Sequence, residues 1–163
     1  MEHQAGWAAF RAGEAPAARA IFAPAHAASP SGETFEGLAR TCYLEYEYSQ
    51  AIELWERAYA AYRDGGDALG SVRVARTLGG MYGQLVGDLA VCAGWISRAN
   101  SLAAGSPGSP QLGWVALTRG MFEGDRDAKN ALFREALGAA ATPGGDATAA
   151  GGPGGQPGRW TPL

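Results

Sequence analysis

Lysine is almost missing from this chain: Lys129 stands alone beside twelve arginines. With Ala, Gly and Pro also abundant, that usage follows GC-rich codon choice and says little about function. A dominant charge is missing too. Thirteen basic and 16 acidic residues leave a formal net charge of −3, too balanced for a field that attracts nucleic acid or a membrane surface. Cysteine is scarce. Cys42 and Cys92 lie far apart and outside any C-x-x-C spacing, so small buried hydrophobes are expected, while the sequence alone leaves a disulfide open. The two histidines, His3 and His26, have no Cys or carboxylate at metal-ligand spacing, and a zinc site needs three or four such ligands. No apolar run approaches the ~20 residues that span a bilayer. Met1-Glu2-His3-Gln4 is not followed by the apolar stretch of a signal peptide. A cytoplasmic chain is the expectation.

Chemical motifs are missing as well. There is no G-x-S-x-G elbow, no G-x-x-x-x-G-K-[ST] phosphate loop and no segment reading as a helix-turn-helix. A Cys–His nucleophile pair would have to bring Cys42 or Cys92 to a histidine near the N-terminus. No enzyme activity, metal or cofactor is therefore expected. Gly79-Gly80-Met81-Tyr82-Gly83 is glycine-rich, but it follows the helical pattern Val72 to Leu78 rather than a strand. Gly79, Gly83 and Gly87 fall four apart, which predicts a helix face that a neighbour approaches closely, at roughly 1 kcal/mol per glycine in helix propensity.

What is present is helix-forming. Hydrophobic residues make up 47% of the chain, and alanine, the best helix former and a poor strand former, dominates them. Ile52, Trp55, Tyr59 and Tyr62 form one stripe of a helix over Gln50 to Arg63. Glu53 and Arg57 pair at i, i+4 on its other side. Gly65 and Gly66 offer a left-handed end. Phe35, Leu38, Cys42 and Tyr46 make a second stripe over Thr34 to Glu47, with Ser49 as the expected N-cap of the helix that follows.

That hairpin recurs. The second helices carry a small, a large apolar and again a small residue: Ala18-Phe22-Ala25, Ala51-Trp55-Ala58, Cys92-Ile96-Ala99 and, more loosely, Lys129-Phe133-Ala136. They are offset by 33, 41 and 37 residues. A helical hairpin with a period near 34 residues points to an all-α solenoid, because one hairpin cannot bury its own apolar stripe. Four hairpins are expected, at about 1–28, 32–65, 67–104 and 110–141. Gly105 to Pro110 reads as a loop. Residues 142–163 read as a disordered low-complexity tail, since almost no apolar side chain precedes Trp160.

The second hairpin resembles the tetratricopeptide repeat position by position. Phe35, Leu38, Ala39 and Cys42 fill its first-helix pattern, and Ala51, Trp55 and Ala58 its second. Leu78, Gly79 and Tyr82 match in the third unit, with an extra residue in the following turn. Trp114, Leu117 and Met121 keep the spacing in the fourth, where Thr118 replaces the usual glycine. The first unit retains a short helix with Trp7 and Phe10, and the family's prolines at the end of the second helix are absent. The segments around Trp55-Glu56-Arg57-Ala58-Tyr59, Gly94-Trp95-Ile96 and Leu112-Gly113-Trp114 are similar to the repeat region of actinobacterial LuxR-type transcriptional regulators, over roughly residues 35 to 140.

The resemblance implies a right-handed superhelical solenoid whose first helices line a concave groove for a peptide. Transferred onto this sequence, the groove holds Glu33, Glu36, Arg40 and Tyr43, then Arg73, Arg76 and Gln84, then Val115, Arg119 and Phe122. Glu36, Arg40, Tyr43, Arg73, Arg76, Arg119 and Phe122 are the expected partner-binding residues. Their guanidinium forks suit a carboxylate-bearing protein segment, in a regulatory role in signalling or transcription. The alternative is a piece of a larger LuxR-type regulator, with the repeats as spacer or self-association surface. A homodimer fits the sticky ends of a solenoid. Glu45, Glu47 and Glu53, beside Tyr43, Tyr46 and Tyr48, read as a solvated acidic edge.

Overall fold

In the computed structural model, residues 2–105 and 109–141 are described. They form α1 (Glu2–Arg11), α2 (Ala15–Ala28), α3 (Gly32–Leu44), α4 (Tyr48–Asp64), α5 (Ala68–Met81), α6 (Leu89–Ala104), α7 (Pro110–Phe122) and α8 (Arg126–Ala141), with no strand among the described residues. The expected tail, 142–163, and the middle of the Gly-Ser-Pro loop, 106–108, lie outside them. Each helix packs on the one before it, α1 also meets α3, and α5 also meets α7. The fold class is all-helical, as expected.

Local chemistry sets the helix ends. Ser31 opens α3 with a reciprocal capping box: its side chain accepts from the Thr34 backbone N–H, and its own N–H donates to Thr34 Oγ1. Asp67 and Asp88 cap α5 and α6 through their carboxylates. Ser49 does not cap α4. That helix begins at Tyr48, and Glu47 stands at the cap position without a side-chain hydrogen bond. The turn is closed instead by Tyr46, at φ 64°, and by the Glu47 N–H donating 2.9 Å to the Cys42 carbonyl. Gly66 takes the left-handed conformation after α4, at φ 73°.

The core is built from the small–large–small pattern. Ala18, Phe22, Ala51, Trp55, Ala58, Cys92, Ile96 and Ala99 are all buried. Both cysteines are free and buried, as the small-hydrophobe reading expects. The large residues of second helices enter glycine notches on first helices. A Cβ on Gly37 would lie 2.5 Å from the Phe22 ring, one on Gly79 2.6 Å from Ile96, and one on Gly120 2.5 Å from Phe133. Real Cβ atoms do not approach that closely, so glycine is what admits the neighbour there.

Tyr82–Val86 continues α5 as a π-helical turn ending at Gly87, φ 79°. A π turn absorbs one extra residue, which is where the third unit carries its surplus. Gly83 abuts the Phe122 ring and Cys92 Sγ. Of the three glycines spaced four apart, Gly79 and Gly83 thus serve close approach, while Gly87 makes the turn.

Gly79 and Gly80 give a paired test. A Cβ on Gly80 would meet nothing within 4 Å. Gly80→Ala is therefore expected to stabilise by up to about 1 kcal/mol through helix propensity. Gly79→Ala is expected to destabilise by about 1–3 kcal/mol through overpacking on Ile96. Urea unfolding of the two variants checks the opposite signs.

Candidate functional site

Glu36 sits in α3 and is only 1% exposed. A carboxylate so deep must be ionically paired and hydrogen-bonded, and here it is. Its Oε1 accepts from Arg40 Nη2 at 2.9 Å, Arg40 Nε at 3.2 Å and Arg73 Nε at 2.9 Å. Its Oε2 accepts from Arg73 Nη2 at 2.7 Å and from the Tyr62 hydroxyl at 2.9 Å. Arg40 lies one turn along the same helix; Arg73 comes from α5 and Tyr62 from α4. Burial pushes the Glu36 carboxyl up, but the Arg73 hydrogen bond and the charges of Arg40 and Arg73 outweigh it and hold it at about 2. Burial and the Glu36 charge raise the Tyr62 phenol far above its ordinary value. Burial alone would lower Arg73, yet its bonds to Glu36 hold the guanidinium charged.

Aromatic rings flank this cluster. The Arg40 guanidinium lies 5.6 Å from the ring centres of both Trp7 and Phe10 in α1. Arg76, one turn along α5 from Arg73, lies 5.3 Å from the ring of Trp114 in α7. At these distances a cation is attracted to the ring face. The row Trp7/Phe10, Arg40, Arg73, Arg76, Trp114 thus crosses α1, α3, α5 and α7, the first helix of every hairpin.

Arg76 differs from the other two arginines of the row. It forms no ion pair with a carboxylate among the described residues, and its buried Nε has no hydrogen-bond partner there. Burial, then the charges of Arg40 and Arg73, push it down to about 10. The Glu36 charge favours it in part, so it stays protonated at neutral pH, poorly solvated and without a direct ion-pair partner among the described residues.

The structure sorts the residues expected to bind a partner. Glu36, Arg40, Arg73 and Arg76 come together. Glu36 itself is enclosed, with both oxygens engaged, so it cannot touch a partner and is corrected to an internal anchor. Val115, 1% exposed, belongs to the core instead of a groove. Glu33 accepts from Trp7 Nε1 at 2.9 Å, with His3 Nδ1 also at 2.9 Å. Tyr43 is 38% exposed, against Tyr48 and Trp55. Arg119 and Phe122 are not part of the cluster; with Leu89, Cys92 and Ile96 they line a cleft of ≈ 370 Å³ between α6 and α7. Gln84 is exposed on the π-helical turn. The acidic edge is corrected in part, because Arg19 of α2 pairs with Glu45 at 2.6 Å and also with Glu47.

Trp7, Phe10 and Trp114 are not among the residues expected to bind a partner, although they lie on α1 and α7 beside the arginines of that site. A second hollow, of ≈ 290 Å³, opens beside Arg73 and is lined by Trp7, Glu33, Tyr62, Asp67 and Leu69. No group of three or more His, Cys, Asp or Glu among the described residues is placed to hold a metal ion. No described helix is long and apolar enough to cross a membrane. No family model matches the chain, and no curated protein matches it.

Glu36→Gln tests the cluster. It leaves Arg40 and Arg73 desolvated without their anion, so a loss of about 3–5 kcal/mol is expected. The folded pKa is depressed, so the stability Glu36 contributes is present above its ordinary value of 4.5 and is lost as pH falls from there towards about 2. Chemical denaturation between pH 5 and about 2 should show that slope in the parent chain and a flatter one in the variant.

Proposed function

We propose that this chain is a short tetratricopeptide-type solenoid of four hairpins that binds a segment of a protein partner along the face formed by α1, α3, α5 and α7, in a regulatory role in signalling or transcription. One observation carries the reading: an aromatic–arginine row crosses all four first helices, and one of its guanidinium groups, Arg76, makes no direct ion pair and leaves its Nε without a hydrogen bond among the described residues. A solvated surface has no need of such a row. Aromatic rings supply contact area at low entropic cost, and arginine supplies directed donors, which is why both recur where proteins bind proteins. The guanidinium groups of Arg40 and Arg76 favour a partner segment that places acidic character at that part of the face.

A second reading, self-association, is supported by the apolar side chains of Leu85, Val86, Leu89 and Val91, exposed by 37–63% around the π turn. It predicts a sedimentation coefficient that rises with concentration, and Leu89→Ser should abolish that rise.

The main reading is tested by immobilising the chain, capturing partners from its host and identifying them by mass spectrometry. The expected outcome is a partner whose affinity falls about tenfold or more for Arg76→Ala combined with Tyr43→Ala, about 1.4 kcal/mol or more. A partner that binds the double variant unchanged removes the face as the binding surface.

A further inference from the structure

Three guanidinium groups, those of Arg40, Arg73 and Arg76, share one face with a single buried carboxylate, Glu36. Within this cluster two positive charges are left over, while Glu33 and Asp67 stand apart at the hollow beside Arg73, which Arg40 and Arg76 do not line. Arg40 and Arg73 each spend Nε and Nη2 on Glu36, and their Nη1 atoms have no partner among the described residues. Arg76 spends nothing on Glu36. Its Nε is removed from water without an internal hydrogen bond, and the Trp114 ring and the Glu36 charge offset only part of the cost of desolvating this cation. The Nη groups of Arg76 make no hydrogen bond among the described residues and are not enclosed as Nε is, so they are the donors open to an external partner. The Trp114 ring lies 5.3 Å from the guanidinium on one side, and the Nη groups are donors suited to a planar or tetrahedral oxyanion.

We propose that Arg76, backed by Arg40 and Arg73, forms an anion subsite that takes a doubly charged oxyanion carried by the partner segment. Two excess cations match two negative charges, which a phosphomonoester or two adjacent carboxylates supply alike. A single carboxylate would leave one charge uncompensated. The α5–α7 side suits this ligand better than the hollow beside Arg73, where Glu33 and Asp67 would repel it. The proposal rests on the reading of this face as a binding surface and adds the chemistry that one part of it selects.

The test titrates the full chain at constant ionic strength with phenyl phosphate, malonate and acetate, followed by the side-chain Nε–Hε signals of the arginines in heteronuclear NMR. At least one dianion is expected to bind about tenfold or more tightly than acetate. The shifts should centre on Arg76, Arg40 and Arg73 and leave the exposed Arg98 unmoved. Arg76→Gln should abolish the response, whereas Arg98→Gln should keep it. A response to phenyl phosphate alone assigns a phosphomonoester; an equal response to malonate assigns paired carboxylates. Acetate binding as tightly as both dianions, shifts that favour Arg98, or a full response in folded Arg76→Gln overturns the subsite. The parent titration decides the matter even if Arg76→Gln fails to fold. Should the small dianions fail while a captured partner still depends on Arg76 and Tyr43, the subsite falls and the binding face stands.

Discussion

One carboxylate organises the face. Glu36 is sunk between α3, α4 and α5 and receives six hydrogen bonds from two arginines and a tyrosine. A buried ion pair is weak evidence for stability, because apolar residues of equal volume can do as well. Its effect here is orientational. Arg40 and Arg73 are fixed by their forks, and so is the Tyr62 hydroxyl, which also lies 3.2 Å from Arg73 Nη2. With its neighbours so fixed, Arg76 feels the Glu36 charge without a direct bond to it. The imbalance on the face follows directly from how completely Glu36 is consumed.

The cluster can form only because the helices lie close. Tyr62 crosses from α4 to Glu36 past Gly32 and Gly70, where a Cβ would stand 2.5 and 2.6 Å from its ring. Side chains on either glycine would push α3 or α5 away and lengthen the bonds between Arg73 and Glu36. The same device recurs where Phe22 enters between Gly6 and Gly37. Glycine therefore serves two ends in these helices. It lets large side chains of second helices interlock with first helices, and it brings charged groups on first helices within bonding distance.

Much of this was legible in the sequence, and the reasons are specific. The stripe Ile52, Trp55, Tyr59, Tyr62 and the alanines at 18, 51, 58 and 99 identify helices and their crossings, because periodicity and small-residue spacing reflect packing directly. The gathering of Arg40, Arg73 and Arg76 follows from placing first helices side by side. Burial of Glu36 was not legible. The transferred register places Glu36 beside Arg40 in an open groove, and only the third dimension adds Arg73 and Tyr62. Arg119 and Phe122 were placed by transferring the repeat's register. The π turn at Tyr82–Val86 adds a residue just there, and Phe122 packs on Gly83 of that turn beside the α6–α7 cleft. The extra residue was visible in the sequence, but its geometric consequence was not.

The face is also uneven along its breadth, which constrains what it can hold. On one side of Arg73 lie Glu33 and Asp67, with Trp7 forming a wall of the hollow between them. On the other side lies Arg76 against Trp114. Unlike charges separated across a partly desolvated surface orient a bound segment more than they tighten it, since a reversed partner meets repulsion at both ends. A uniformly acidic chain would gain at Arg76 and lose at Glu33 and Asp67. A segment with its negative charge concentrated at one point avoids that loss, and the arrangement of Arg40, Arg73 and Arg76 around one spent carboxylate is suited to such a concentrated charge.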